Sequence, residues 1–280
     1  MKDILSEIVK HKRIEVEMQK QAISSEHLRE QVDILMNESP HRRSMKKALA
    51  TSATGIIAEF KRRSPSKGWI YESADAEKIP AAYETAGASA VSILTDEKFF
   101  GGSLRDIRTA RPLISIPILR KDFIIDEYQL LQARIVGADA ILLIAACLSQ
   151  EECTLLTARA HSLGLEVLLE IHSPSELAYI NKEVDMIGVN NRNLGTFVTD
   201  VENSFRIAEQ LRQTVTGITG SSAAPENLPL LVSESGISHP ETIHNLRAAG
   251  FRGFLMGETF MKTEYPGDTL RKLYLMINEE

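Results

Sequence analysis

The chain has only two cysteines in 280 residues, Cys147 and Cys153. Six positions apart, they match no metal-ligand or redox motif and cannot form a disulfide framework, so a reducing cytoplasmic setting is expected. No apolar run approaches the length needed to span a bilayer. The opening Met1-Lys2-Asp3-Ile4-Leu5-Ser6-Glu7 carries charges where a signal peptide needs an apolar core, so neither secretion nor membrane insertion is expected. An excess of basic charge is also missing: the formal net charge is −6, which argues against general nucleic-acid binding and leaves any phosphate affinity to a local site. Nor is there a Gly-x-Gly-x-x-Gly turn. The first strand-to-helix turn reads Ser64-Pro65-Ser66-Lys67-Gly68, so a dinucleotide-binding open sheet loses its best sign.

The composition is that of a globular protein, 43% hydrophobic and 25% charged, and the length suits one β/α barrel of about 250 residues plus an extension. Residues 1–50 are strongly charged, with Ile4, Leu5, Ile8 and Val9, then Leu28, Val32 and Leu35, at helical spacing. Beyond them, short runs rich in Ile, Leu and Val recur at 56–58, 90–94, 116–119, 140–144, 166–169, 186–189, 230–232 and 253–256. Such runs suit parallel strands buried on both faces. Helical stretches at 74–86, 127–136, 151–163, 174–181, 201–211 and 240–249 lie between them, several stopped by a glycine such as Gly87 or Gly137. Eight alternations predict an α/β fold, a (β/α)8 TIM barrel with an N-terminal helical extension, forming a single domain over 1–280 with 1–50 packed on the barrel. The one irregular connection, 214–229, falls on the face opposite the strand tips, where chemistry is seldom carried.

Reacting groups of such a barrel come from the C-terminal ends of the strands, and polar residues gather there. The first strand runs into Glu59-Phe60-Lys61-Arg62-Arg63, and strand alternation places Glu59, Lys61 and Arg63 on one face. Alone, this segment fits a solvated strand end as well as an active site. Lys121 and Glu170 each follow an apolar strand, which makes them the acid and base candidates, with a structural ion pair as the alternative. A cation such as Lys61 nearby is expected to push Lys121 toward losing its proton, and the flanking Leu169 and Ile171 to favour a protonated Glu170. His172, two residues beyond Glu170, has a place from which it can face the same mouth; with no second histidine at ligand spacing it reads as a loop residue with no metal role. Ser235-Gly236 and Gly257-Glu258, after the seventh and eighth strands, offer backbone N–H groups to an anion. The same glycines also fit plain tight turns. Arg192 either adds charge to that ligand or caps a neighbouring loop.

Taken in order, these ends resemble the indole-3-glycerol-phosphate synthase family. The motifs are Glu59-Phe60-Lys61 with Ser64-Pro65-Ser66, Leu94-Thr95-Asp96, Phe100 before Gly102-Ser103, Lys121-Asp122-Phe123, Gly137-Ala138-Asp139, Glu170, Asn190 with Arg192, and Glu234-Ser235-Gly236-Ile237. The resemblance runs from the N-terminal helix, which in the family folds over the barrel mouth, to about residue 262. It implies cyclisation, decarboxylation and dehydration of 1-(2-carboxyphenylamino)-1-deoxyribulose 5-phosphate. In that chemistry Lys121 is the general acid at the ketone, Lys61 pairs with the departing carboxylate, Glu170 is the base, and Glu59 and Asn190 orient them. Substrate binding then falls to Ser64, Phe100, Phe123, Leu142, Arg192, Leu194, Glu234, Ser235, Gly236, Gly257 and Glu258, although the apolar ones fit an ordinary core equally well. No metal or cofactor is implied, the partner is a phosphorylated small molecule, and a monomer or weak homo-oligomer is expected.

The chain departs from the family in carrying Glu258 where many relatives have serine, and in a longer 214–229 segment. It also ends after one barrel, without the fused isomerase barrel some relatives carry. Sugar-phosphate isomerases and epimerases rely on Cys/Asp or paired Asp couples or on metal-binding histidines, and none of these sets is present. A barrel kept only for binding is disfavoured by the intact Glu59, Lys61, Lys121 and Glu170.

Overall fold

A strand apolar on both faces needs cover on both, and a closed barrel supplies it from its own interior and from an outer layer of helices. The computed structural model describes residues 4–38, 43–193, 195–196, 198–220 and 227–279. It has eight parallel strands: β1 Ile56–Phe60, β2 Ala90–Leu94, β3 Ile118–Lys121, β4 Ala140–Ile144, β5 Glu166–Ile171, β6 Met186–Asn190, β7 Leu230–Glu234 and β8 Gly253–Met256. Each pairs with its neighbours in sequence, and β8 closes on β1 through Ile57↔Leu255.

Strand alternation sorts the side chains into two cores. Along β4, Ala140, Leu142 and Ile144 face the interior while Ile141 and Leu143 face the helices. Extended by the same period of two, Ile57 carries Glu59 onto the interior face, Leu119 carries Lys121, Leu168 carries Glu170, Met186 carries Asn190, and Val232 carries Glu234. The pairing register brings the tips level, with Leu94 opposite Lys121, Ile144 opposite Glu170 and Asn190 opposite Glu234.

Three helices precede the barrel: α1 Ile4–Ala22, α2 Ser25–Glu38 and α3 Met45–Thr51. The first lies over the mouth and buries Ile8, Lys12 and Val16. Val16, with Leu28 and Val32 of α2, packs on Tyr128 and Leu131 of the helix Glu127–Val136. Helix α3 fills the opposite end, with Met45 and Leu49 fully buried among the interior side chains. Glu166, at the start of β5, accepts the Ser44 hydroxyl at 2.5 Å and the Lys46 N–H at 2.9 Å, fixing the start of that helix.

Several boundaries differ from those the sequence suggests. The third strand starts at Ile118, after Pro117, which has no N–H for the ladder. The helix expected over 74–86 begins only at Ile79, with Pro80 in its first turn. Residues Pro174–Tyr179 form a 3₁₀ helix. The helix expected to end at 211 continues over Glu202–Thr219, so most of the presumed irregular segment before 220 is helical, and 221–226 lie outside the described residues. Because β1 stops at Phe60, Arg63 leaves the shared face of Glu59 and Lys61. It joins a two-residue ladder with Trp69, its guanidinium 5.5 Å from that ring.

Candidate active site

The mouth of the barrel opens into a cavity of about 630 Å³. Its walls include Glu59, Lys61, Ser64, Phe100, Lys121, Phe123, Leu142, Glu170, Asn190, Arg192, Ser235, Gly236, Gly257 and Glu258, all expected from the sequence. Leu194 lies outside the described residues. Glu234 does not line the cavity; it stands buried behind Lys121. Helix α1 contributes Ile4, Leu5 and Ile8 to the wall.

Lys121 is the hub of the polar side chains. Its Nζ donates to Glu234 Oε2 at 2.7 Å and to Glu170 Oε2 at 3.3 Å. Lys61 donates to Glu59. Asn190 Nδ2 donates to Glu170 Oε1 at 3.1 Å, while its Oδ1 accepts the Ser235 hydroxyl and the Arg192 N–H, each at 3.0 Å. Asn190 therefore ties the base candidate to the rim that carries Ser235 and Arg192. Ser235 holds a left-handed backbone, φ 71°, unusual for a residue with a side chain. Such a conformation persists where the surroundings enforce it, often around a ligand. Phe100 and Phe123 meet at the side wall in a tilted pair, with ring centroids 5.9 Å apart and planes 40° to each other.

The protonation pattern reverses two expectations. Burial alone lowers the Lys121 ammonium, but Glu234, Glu170 and Glu59 outweigh it and hold its pKa above the usual lysine value. Lys121 therefore keeps its proton, because the carboxylates from other strands dominate any push from Lys61. Burial likewise raises Glu170, yet Lys121, His172 and Asn190 more than offset it, so Glu170 stays a carboxylate. Glu234 is the acid that moves the other way. Burial and the charge on Glu170 overcome the pull of Lys121 and push it up to about 7. Glu59 is lowered: burial opposes, and Lys61, Lys121 and Arg192 prevail.

His172 is closer to the chemistry than its loop position suggested. Its Nε2 lies 3.1 Å from Glu170 Oε1 and its Nδ1 3.6 Å from Glu176 Oε2. It stands two places after Glu170 and one past the end of β5, and it reaches the Glu170 carboxylate without lining the cavity. Burial lowers the imidazole, but Glu170 and Glu176 outweigh it and raise it from 6.5 to about 10. A histidine raised in this way stabilises the fold fully below pH 6.5, and loses that contribution as the pH climbs through about 10. His172→Gln is accordingly expected to flatten the fall in urea midpoint across that window; an unchanged pH dependence would rule the ion pair out as its source.

Lys12 is a second charged group whose place the sequence does not signal. It is fully buried, with its Nζ 3.0 Å from Asp96, Asp122 and Glu15. Asp122 follows Lys121 directly and also accepts from Arg120 at 2.9 Å. Among the described residues, no three His, Cys, Asp or Glu side chains are arranged to hold a metal. No described helix is long and apolar enough to cross a membrane.

Comparison with known proteins agrees with this arrangement. The family profile described as "Indole-3-glycerol phosphate synthase" matches residues 5–273. A protein of that description from Bacteroides thetaiotaomicron is 67% identical over 277 residues, spanning 99% of this chain and all of the relative. One from Prochlorococcus marinus is 41% identical over 280 residues, covering 99% of this chain and 90% of its own length. Among solved structures, a mutant tryptophan synthase α-subunit from Pyrococcus furiosus superposes with a TM-score of 0.59 at 13% identity, over 81% of this chain and 98% of that one, which speaks to the barrel fold alone. Sequence likeness along nearly the whole chain joins the strand-tip geometry in one conclusion: the chain belongs to the indole-3-glycerol phosphate synthase family.

Proposed function

We propose that the cavity converts 1-(2-carboxyphenylamino)-1-deoxyribulose 5-phosphate to indole-3-glycerol phosphate, with Lys121 and Glu170 as its acid and base. Membership of the family makes the chain a carboxy-lyase of tryptophan biosynthesis. The observation that carries the assignment of roles is the contact of Lys121 with Glu170 at 3.3 Å on the cavity wall, one held protonated and the other ionised. An acid and a base kept in opposite states side by side suit a reaction that needs both.

In this reading the phosphate sits against Ser235, Gly236 and Gly257, with Arg192 and Ser64 alongside. The aromatic ring lies between Phe100, Phe123 and Leu142, with Leu194 assigned there as well. Lys121 donates a hydrogen bond to the ketone oxygen and passes its proton to the alkoxide as the ring carbon attacks, since a forming alkoxide is the stronger base. Lys61, kept in place by Glu59, pairs with the carboxylate that leaves as carbon dioxide. Glu170, oriented by Asn190 and His172, takes the ring proton during dehydration, while a lysine protonates the departing hydroxyl. No metal or organic cofactor takes part. The chain works as one barrel domain with residues 1–50 as its extension, in the cytoplasm, as a monomer or weak homo-oligomer.

The test is direct. The purified chain, incubated with the carboxyphenylamino-deoxyribulose phosphate and no added metal, is expected to generate indole fluorescence. No signal over the uncatalysed rate would dismiss the proposal.

A further inference from the structure

Three connections meet at the rim where the anion is assigned. Lys67 comes from the loop after β1, Arg192 from the loop after β6, and Glu258 opens the short helix Glu258–Met261 that follows β8. The Glu258 carboxylate stands between the two cations, its Oε1 3.4 Å from Lys67 Nζ and its Oε2 3.5 Å from Arg192 Nη2. Arg192 also donates to two hydroxyls, Thr199 Oγ1 at 3.3 Å from its Nε and Ser66 Oγ at 3.3 Å from its Nη1. A carboxylate thus occupies the place between two cations that suits a phosphate oxygen, beside Gly257 and across from Gly236.

We infer that Glu258 sets the affinity of the rim for substrate: it acts as a built-in rival anion that a substrate phosphate must displace from Lys67 and Arg192. This rests on the phosphate assignment above and deepens it. Both contacts are longer than close ion pairs, and the Glu258 side chain is 38% exposed, so the rival is held weakly and can swing into solvent. A dianionic phosphate offers the two cations more charge and more acceptor oxygens than one carboxylate, whereas a monoanion gains little by the exchange. Displacing Glu258 costs every incoming anion the same free energy, so the affinity of the rim for each falls by the same factor. A dianionic phosphate keeps useful affinity after that loss, whereas a monoanion is left with little.

The experiment is titration calorimetry of the full chain with inorganic phosphate at low ionic strength, for the wild type, Glu258→Gln and Glu258→Ser. Both variants are expected to bind phosphate about five- to tenfold more tightly. The gain should shrink on adding salt to about 0.5 M, because screening weakens the rival pair. The KM for the phosphorylated substrate should fall by a similar factor. Equal or weaker phosphate binding in both variants would overturn this role while leaving the anion site in place. Phosphate binding to neither wild type nor variants would remove the anion site and the role together.

Discussion

Lys121→Ala is expected to lower kcat/KM by at least about 10³-fold, measured by indole fluorescence under single-turnover conditions. Loss of a positioned general acid alone accounts for about 10²–10⁴. Beyond the proton donation proposed for it, Lys121 also balances charge, because Glu234 and Glu170 share its ammonium and Glu59 feels its charge. Without it, three buried carboxylates face one another with less compensation, and Glu170 loses the main influence that keeps it ionised. The proposed base is then impaired along with the proposed acid, so this substitution combines the two losses. The variant should also become less stable as the pH rises above the usual carboxylate value of 4.5, since folding would then hold charged groups together without their cation. Activity within tenfold of wild type would remove Lys121 from the mechanism.

The second large effect is expected at the N-terminal helix. Lys12→Met should destabilise the fold by about 3–5 kcal/mol, the usual cost of leaving buried ionic partners without their counter-charge. Burial lowers the Lys12 ammonium, but Asp122, Asp96 and Glu15 outweigh it and hold its pKa above 10.5. Asp122 is correspondingly brought down from 3.8 to about 2, against burial, by Arg120 and Lys12. That half of the network contributes above pH 3.8 and fades as the pH falls to about 2. Because Ile4, Leu5 and Ile8 of the same helix line the cavity, activity should fall with stability, and proteases should cut α1 sooner. Urea denaturation with limited proteolysis checks both. A loss under about 1 kcal/mol would mean that apolar packing alone seats the helix.

The sequence carries the barrel plainly, because runs buried on both faces have few other homes, and because polar residues such as Glu59, Lys121, Glu170 and Asn190 stand out directly after them. What it hides is the partner of each charge. Lys61 is near Lys121 in any reading of the strand tips, yet Glu234 and Glu170 reach it from other strands and reverse its expected behaviour. The proton on Glu234 depends on Glu170, 64 residues earlier in the chain. Lys12 looks like one more solvated lysine in a charged helix; only the folded chain brings Asp96 and Asp122 to it. Arg63 shows the limit of periodicity, which stops applying at the residue where the strand ends.

Met45 and Leu49 stopper the barrel at the end away from the active side chains. Among the described residues, traffic is therefore left to the mouth. Carbon dioxide, water and the indole product must all exit where the substrate came in, past the first turns of α1. Each turnover has to clear that passage before the next can start, so a substitution at Ile4 or Ile8, remote from every proton transfer, can set the pace of the whole cycle.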